Sequence, residues 1–600
     1  STEREMSRRD AEKDQPERAM WGNQIEFLMS CIATSVGLGN VWRFPFVAYQ
    51  NGGGAFLIPY IIVLVVIGKP MYYLEGVIGQ FSSRNSAKVW AMSPAMKGTG
   101  YAQAMGTMYI LSYYVSIIAL CFYYLVMSFR SQLPWAACRP EWEKCVPSSQ
   151  TQGIELIQNG TSSTIFVQNF ITIGSVTEIL SKVLICKLCC YLLRVALNMK
   201  VYTFCFPPTG LPIWYLTLCL LTAWLIIFVI VSQGVKSSGK AAYFLAIFPY
   251  IVMIILLIST LFLDGSTNGI LFFLTPQWDK LTQLDVWYAA VTQVFFSLGV
   301  STGAIIMFSS YNKFISRDAM IVTTLDTFTS LLSGVTIFGI LGNLAYVLNR
   351  EVNQVVGSGG TGLAFVSYPD AIAKTFQPQL FSVLFFLMMS VLGVGSAVAL
   401  LSVINTLMMD AFPRIPTVFV SAFCCTVGFG IGLIFVTPGG QYVLEIVDYY
   451  GGTFLLLFGG IAEIIGIFWI YGLENLCLDI EFMLGIKTSM YWRLCWGIIT
   501  PAMMIIVFVY ALISFEGLVF GGYYVYPTAG YVAGYLILFA GIILVPLFIS
   551  FQTKSSWGPR DATTKREWLI FKEDATTQAT NMRTSLCNHI KLILTGGYRQ

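Results

Sequence analysis

Between Thr34 and Phe46 the chain reads TSVGLGNVWRFPF. Two glycines, an amide, a guanidinium and a proline stand inside an apolar run that would otherwise be helical. Gly37, Gly39 and Pro45 are poor helix formers, and Arg43 is expensive at bilayer depth. A break of this kind frees backbone amides and carbonyls, which a membrane tolerates only where they line a cavity and bind something. Half-helix amides suit a carboxylate, and half-helix carbonyls, with Asn40 beside them, suit a small cation. The stretch Ser297-Leu298-Gly299-Val300-Ser301-Thr302-Gly303 offers the same backbone chemistry a second time. Glu75, in MYYLEGVIGQ, is a lone acid in another apolar run. It is read as structural, accepting hydrogen bonds from the second break.

Two enzyme patterns lack their context. Gly299-Val300-Ser301-Thr302-Gly303 has nucleophile-elbow spacing, and Gly357-Ser358-Gly359-Gly360-Thr361-Gly362 has the look of a dinucleotide loop. The single histidine, His589, lies near the C-terminus, which removes a Ser-His pair or a His-rich metal site from the apolar part. No strand is expected before Gly357. The chain is therefore read as a non-enzyme.

The elements that must position these residues are apolar runs. Of 600 residues 56% are hydrophobic and 11% charged, and the mean hydropathy is +0.70, more than a soluble core can hide. The net charge of +4 is spread over short connections and carries no sign of nucleic-acid binding. Counting runs of about 20 residues or longer gives twelve, numbered here in chain order: 22–47, 53–81, 102–131, 212–232, 241–263, 283–309, 318–346, 380–411, 416–435, 441–471, 491–514 and 528–551. Each is expected to be a transmembrane helix, since a bilayer leaves no backbone group unpaired. The breaks fall in runs one and six, five apart, as expected of five-helix halves repeated with inverted topology.

Lysine and arginine set the orientation. Arg4, Arg8, Arg9, Lys13 and Arg18 precede run one, Arg84, Lys88 and Lys97 follow run two, Lys236 and Lys240 follow run four, and Lys313 and Arg317 follow run six. By the positive-inside rule these connections and both termini are cytoplasmic. Residues 1–20 are expected to form an N-terminal tail with no cleavable leader pattern, 21–555 the membrane domain, and 556–600 a solvated C-terminal tail. Residues 179–206 are apolar, but Lys182, Lys187, Arg194 and Lys200 interrupt them, and a thirteenth span would reverse the charge bias. They are assigned to an extracellular loop, 132–211. That loop also holds the glycosylation sequon at Asn159 and the pair Cys138 and Cys145, expected to form a disulfide.

Gly37-Leu38-Gly39-Asn40-Val41-Trp42-Arg43-Phe44-Pro45, followed by Asn51-Gly52-Gly53-Gly54-Ala55-Phe56 and Pro59-Tyr60, resembles the first-helix motif of the neurotransmitter:sodium symporters. Gln293 to Gly303 with Phe308-Ser309-Ser310-Tyr311-Asn312 resembles the family's sixth helix, and Asp448-Tyr449-Tyr450-Gly451 its tenth. The likeness covers roughly residues 18 to 560 and is strongest to the insect nutrient amino acid transporters. It implies an all-α membrane protein of the bacterial leucine-transporter fold, with twelve transmembrane helices, 5+5 inverted repeats and broken helices one and six. It also implies a plasma-membrane symporter that couples sodium to neutral amino acids by alternating access.

Position by position, the resemblance implies that the amides of Leu38 and Gly39 with the Tyr114 hydroxyl hold the substrate carboxylate. Carbonyls of Ser35, Phe296 and Ser297 would hold its ammonium. The first cation site would use Ser35, Asn40, Ser297 and Asp326, and the second Ala33, Val36, Leu392 and Ser396. Arg43 and Asp448 would pair as the outer gate above a lid of Phe296 and Tyr114. Gly37, where the monoamine branch has aspartate, leaves room for an α-carboxylate. Ile110, Phe296, Gly299, Thr302, Ser396, Ala399 and Leu400 would line an uncharged pocket suited to neutral side chains. Thr302, where many relatives carry phenylalanine, should make its floor roomy.

Two departures shape the expected coupling. Gly395 stands where a hydroxyl or carboxylate ligand is usual, so the second cation site loses an oxygen. Asp326 stands where many relatives have asparagine, near residues that match a chloride site, Tyr60, Gln293, Ser297 and Ser330. Two like charges about 4 Å apart repel by about 4 kcal/mol at an effective dielectric near 20. Chloride should therefore be required weakly or not at all, potassium or lithium should replace sodium in part, and external protons should compete with the cation. The expected partners are a neutral amino acid, the cation and the bilayer, with no nucleic acid and no evident protein partner. The competing readings are a cation channel or uniporter with the same spans, or a symporter of another small zwitterion such as GABA, glycine or betaine.

Overall fold

The computed structural model describes residues 20–136, 211–312, 318–349, 351–352, 363–375, 377–514, 517–520, 524–549 and 557–580. Cys138, Cys145, Asn159, residues 179–206 and the Gly357 to Gly362 loop lie outside them. The described chain is helical apart from a two-residue antiparallel pair, Val519–Phe520 with Tyr524–Val525, between runs eleven and twelve.

Ten helices among the described residues are long and apolar enough to cross a membrane, and two shorter apolar helices, Leu284–Leu298 and Thr417–Gly432, fall in runs six and nine. Burial sorts them. Of the most apolar stretch of run eight 78% is buried, and 72% of runs three and seven, against 33% for runs four and eleven and 22% for run twelve. The former make the core. The latter turn rows of apolar side chains outward, such as Leu218, Leu221, Leu225 and Val229, the pattern of a lipid-facing border.

Several helix limits differ from the sequence reading; run five, for one, begins at Val235 rather than 241. Run three begins earlier, at Gly98. Run ten continues past 471 as far as Leu484, through wide turns at Val447–Phe454 and Ile465–Gly472 and a positive φ at Gly472. A helix at Ser266–Leu274, not expected from the sequence, lies against run seven where Gly269 and Gly342 let the two backbones meet.

The C-terminal segment also differs from the expected solvated tail. Trp557, and Trp568 on the helix Ala562–Thr580, are buried beside Phe81 at the end of run two, with ring centroids 5.4 and 5.8 Å from it. Both indoles donate to the buried carboxylate of Asp479, at 3.1 and 2.8 Å, as does the Tyr471 hydroxyl. Lys572 pairs with the same carboxylate at 3.5 Å; burial pushes its ammonium down from the ordinary lysine range and the Asp479 charge opposes that.

Candidate functional site

Run one is helical over Gln24–Ser35, and its last regular bond runs from the Val36 amide to the Ile32 carbonyl at 2.8 Å. The next amide, of Gly37, turns to the Asn40 Oδ1 at 2.9 Å, and that of Leu38 donates to the Tyr114 hydroxyl at 3.2 Å. The carbonyls of Ala33 and Thr34 are thus released from the helix ladder. Thr34 accepts from the Ser396 hydroxyl at 3.1 Å. Ala33 points at run eight, where a Cβ on Gly395 would lie 2.8 Å from its oxygen. The chain then resumes through a wide turn, Gly39–Arg43, and the helix Phe44–Gln50, with Pro45 in its first turn where a missing N–H costs little.

Run six breaks differently. The helix Leu284–Leu298 ends at Gly299 with φ +65°, and Ser301 and Gly303 also have positive φ, +64° and +77°, before Ala304–Ser309 resumes. The break is held from outside and from within. Glu75 accepts from the Ser301 amide at 2.6 Å, the structural role expected of it. The Thr302 hydroxyl donates to the Gly299 carbonyl at 2.6 Å and accepts from the Ala304 amide at 3.2 Å, so Thr302 ties the two half-helices as well as flooring the space between them.

The breaks meet at a cavity of about 50 Å³ lined by Ser35, Gly37, Gly39, Asn40, Ile110, Tyr114, Phe296, Ser297, Gly299, Thr302, Ser396 and Leu400. Ala399, expected in the lining, is buried but absent from it. Thr34, Phe295 and Leu456 line it without having been foreseen. Leu456 follows the Asp448-Tyr449-Tyr450-Gly451 motif by a helical turn and a half, and a leucine there reads as ordinary packing in an apolar run.

Below the cavity four oxygens converge on the Asn40 side-chain nitrogen: Ser297 Oγ at 3.0 Å, Asp326 Oδ1 at 2.7 Å, the Asp326 carbonyl at 3.3 Å and Ser330 Oγ at 2.9 Å. Ser297 also donates to Asp326 Oδ1 at 2.7 Å. Asp326 is fully buried, and its Oδ2, like the Ser35 hydroxyl, has no hydrogen-bond partner among the described residues. Of the residues matched to a chloride site, Tyr60 donates to Ser330 at 3.4 Å and Gln293 to the Gly39 carbonyl at 3.3 Å. With Ser297 turned to Asp326, these donors face oxygens.

The expected Arg43 to Asp448 pair is not made. The Arg43 guanidinium lies over the Phe296 ring, 4.5 Å from its centroid, while Asp448 accepts from the Tyr113 hydroxyl. A tyrosine donor and an aromatic face satisfy the two charges separately. Tyr113, next to the expected Tyr114, was not picked out because a tyrosine one residue along a helix reads as packing.

Long apolar helices, two of them interrupted around a polar cavity, define a multi-pass membrane protein of the solute-transporter class. The chain belongs to the sodium:neurotransmitter symporter family, whose model matches residues 18–556. It is 51% identical over 592 residues to the sodium-dependent nutrient amino acid transporter 1 of Drosophila erecta, across 95% of this chain and 92% of that protein. The protein of the same name from Drosophila melanogaster is 50% identical over 600 residues, covering 96% and 93%. That from Drosophila pseudoobscura pseudoobscura is 48% identical over 603 residues, covering 96% and 90%.

Proposed function

We propose that this chain is a sodium-coupled symporter of neutral L-amino acids in the plasma membrane, with twelve transmembrane helices, the inverted-repeat leucine-transporter fold and both termini cytoplasmic. The observation that carries the reading is the cavity between the two breaks, with the Tyr114 hydroxyl against the Leu38 amide, released carbonyls at the end of run one and, among the described residues, an unpartnered carboxylate oxygen on Asp326. The Leu38 amide and the Tyr114 hydroxyl hold the substrate carboxylate. The lining carries no charged side chain, which suits neutral substrates. About 50 Å³ is room for about four waters. The zwitterionic end of an amino acid fits this conformation, and a large side chain requires Phe296 or Leu400 to give way.

Asn40 takes part in cation binding through a change of orientation. Its nitrogen now fills the centre of the oxygen cluster, so a half-turn of the carboxamide would present Oδ1 to a cation beside Ser35, Ser297 and Asp326, at the cost of the Gly37 hydrogen bond. That bond belongs to the carboxylate-binding break, so cation and substrate sites are coupled through one side chain. The second cation site rests on the Ala33 carbonyl and Ser396, where Gly395 supplies space and no ligand atom.

Asp326 sets the ion requirement. Its carboxylate supplies negative charge and occupies the Ser297 donor that chloride would need. The test is uptake of a radiolabelled amino acid panel in sodium, potassium, lithium and choline media, with and without chloride. Uptake by the wild-type protein should be saturable and highest in sodium, partly sustained by potassium or lithium, and weakly dependent on chloride. Asp326→Asn should sharpen sodium selectivity and raise the chloride requirement. Strict chloride dependence of the wild-type protein, unchanged in Asp326→Asn, would overturn the assignment of Asp326.

A further inference from the structure

A second cavity, of about 20 Å³, lies where runs one, two, six and seven meet. Cys31 of run one, Tyr72 and Gly76 of run two, Ser309 of run six and Asp318 of run seven line it. Cys31 stands one helical turn before Ser35, which lines the substrate cavity, so the two spaces follow one another along run one. The volume is room for one particle of about the size of a water molecule.

Three of the lining oxygens lack partners. Asp318 is 5% exposed, and its Oδ1 accepts from the side-chain nitrogen of Gln24, an exposed residue at the start of run one, at 3.3 Å. Its Oδ2 has no hydrogen-bond partner among the described residues, and neither have the buried hydroxyls of Ser309 and Tyr72. Neither hydroxyl donates to the carboxylate, so the three oxygens stand apart around the space instead of closing on one another. No lysine, arginine or histidine among the described residues lines the cavity. A buried carboxylate oxygen and two buried hydroxyls without partners are costly. A water molecule has two hydrogens to give and leaves the charge uncompensated, whereas a cation takes lone pairs from all three oxygens and balances the charge.

Gly76 keeps the space open. A Cβ there would meet only Ser309 Oγ, at 3.8 Å, so an alanine fits the helix without overlap and would take up room that the glycine leaves.

We propose that this cavity binds one monovalent cation, held by Asp318 Oδ2 and the hydroxyl oxygens of Ser309 and Tyr72, at a site separate from the cluster around Asp326. One carboxylate among neutral oxygens balances a single positive charge, which points to sodium or potassium; a calcium ion draws on six to eight oxygens, several of them charged. One turn along run one from Ser35, the site offers a cation that leaves the substrate cavity its next oxygens.

The test is anomalous X-ray scattering from crystals of the full-length protein grown with thallous ion, a heavy monovalent cation, in place of sodium. A peak should stand at coordination distance from Asp318 Oδ2 and weaken when sodium or potassium is added in excess. It should be absent from Asp318→Asn and from Gly76→Ala, and present in Asp326→Asn. Gly76→Ala retains every oxygen and replaces a helical glycine, so its unfolding midpoint in choline should equal or exceed that of the wild-type protein, and loss of its peak then reports lost space. Should Asp318→Asn fail to fold, this variant carries the test alone. A wild-type map without a peak at Asp318, a peak that survives in either folded variant, or one that vanishes with Asp326→Asn overturns the proposal. The readout does not involve uptake, so this site and the proposed symport fail separately.

Discussion

The two helix breaks use glycine for opposite reasons. In run one neither Gly37 nor Gly39 needs an unusual backbone, but both need space. A Cβ on Gly37 would fall onto the Ser396 hydroxyl and lie 3.1 Å from the Tyr114 oxygen, and one on Gly39 would lie 2.9 Å from the Phe296 ring. In run six Gly299 has room, its nearest neighbour to a Cβ being Thr302 Oγ1 at 3.8 Å, but its φ of +65° is left-handed. The first break is an opening shaped by what must fit beside it. The second is a conformation held by Glu75 and Thr302. One sequence signal, glycine in an apolar run, thus stands for a volume in one place and a dihedral angle in the other.

The largest effect should come from adding one methyl group to the first break. Gly37→Ala should lower uptake about a hundredfold, the equivalent of about 3 kcal/mol in the barrier, and lower the thermal unfolding midpoint through overpacking of about 1 to 3 kcal/mol. Adding Ser396→Ala should restore the midpoint but not uptake, because the hydroxyl overlap is relieved while the cation ligand is lost. A single variant that unfolds and transports like the wild type would remove the distinction between the breaks.

Gly299→Ala tests the other half. It should lower the unfolding midpoint by the left-handed cost of about 1 to 2 kcal/mol, with a smaller loss of uptake than Gly37→Ala since nothing is overlapped. Next comes Thr302. Thr302→Val loses the bond to the Gly299 carbonyl and should destabilise by about 1 kcal/mol, whereas Thr302→Ser should stay near wild type in a thermal scan. Equal behaviour of the two would show that the hydroxyl does not hold the break. The smallest change, and of opposite sign, is expected of Ser301→Gly, which relieves a positive φ and removes a buried unpartnered hydroxyl. A gain of up to about 1 kcal/mol in the same scan is the expected result.

The breaks were legible because glycine, proline, asparagine and arginine contradict an apolar helix, and Glu75 because a charge there is costly, whereas Asp326 stood out only through the resemblance. The atoms doing the work were less so. Nothing in a run of letters indicates that the Asn40 nitrogen sits among four oxygens, that Thr302 bonds across its own break, or that Asp448 prefers Tyr113 to Arg43. Those outcomes depend on side-chain direction across helices far apart in the chain. The helix Ser266–Leu274 was missed because its nine residues are too few to register as a span.

The clamp on Asp479 bears on how the chain is completed. That carboxylate is made with run ten, while the indoles that cover it arrive only after run twelve. Until Trp557 and Trp568 emerge from the ribosome, the nascent protein carries an exposed acid and an uncovered Phe81 at the end of run two. A premature stop after run twelve would therefore leave all the spans intact yet keep the protein in the unfinished state, open to the surveillance that retains incomplete membrane proteins inside the cell.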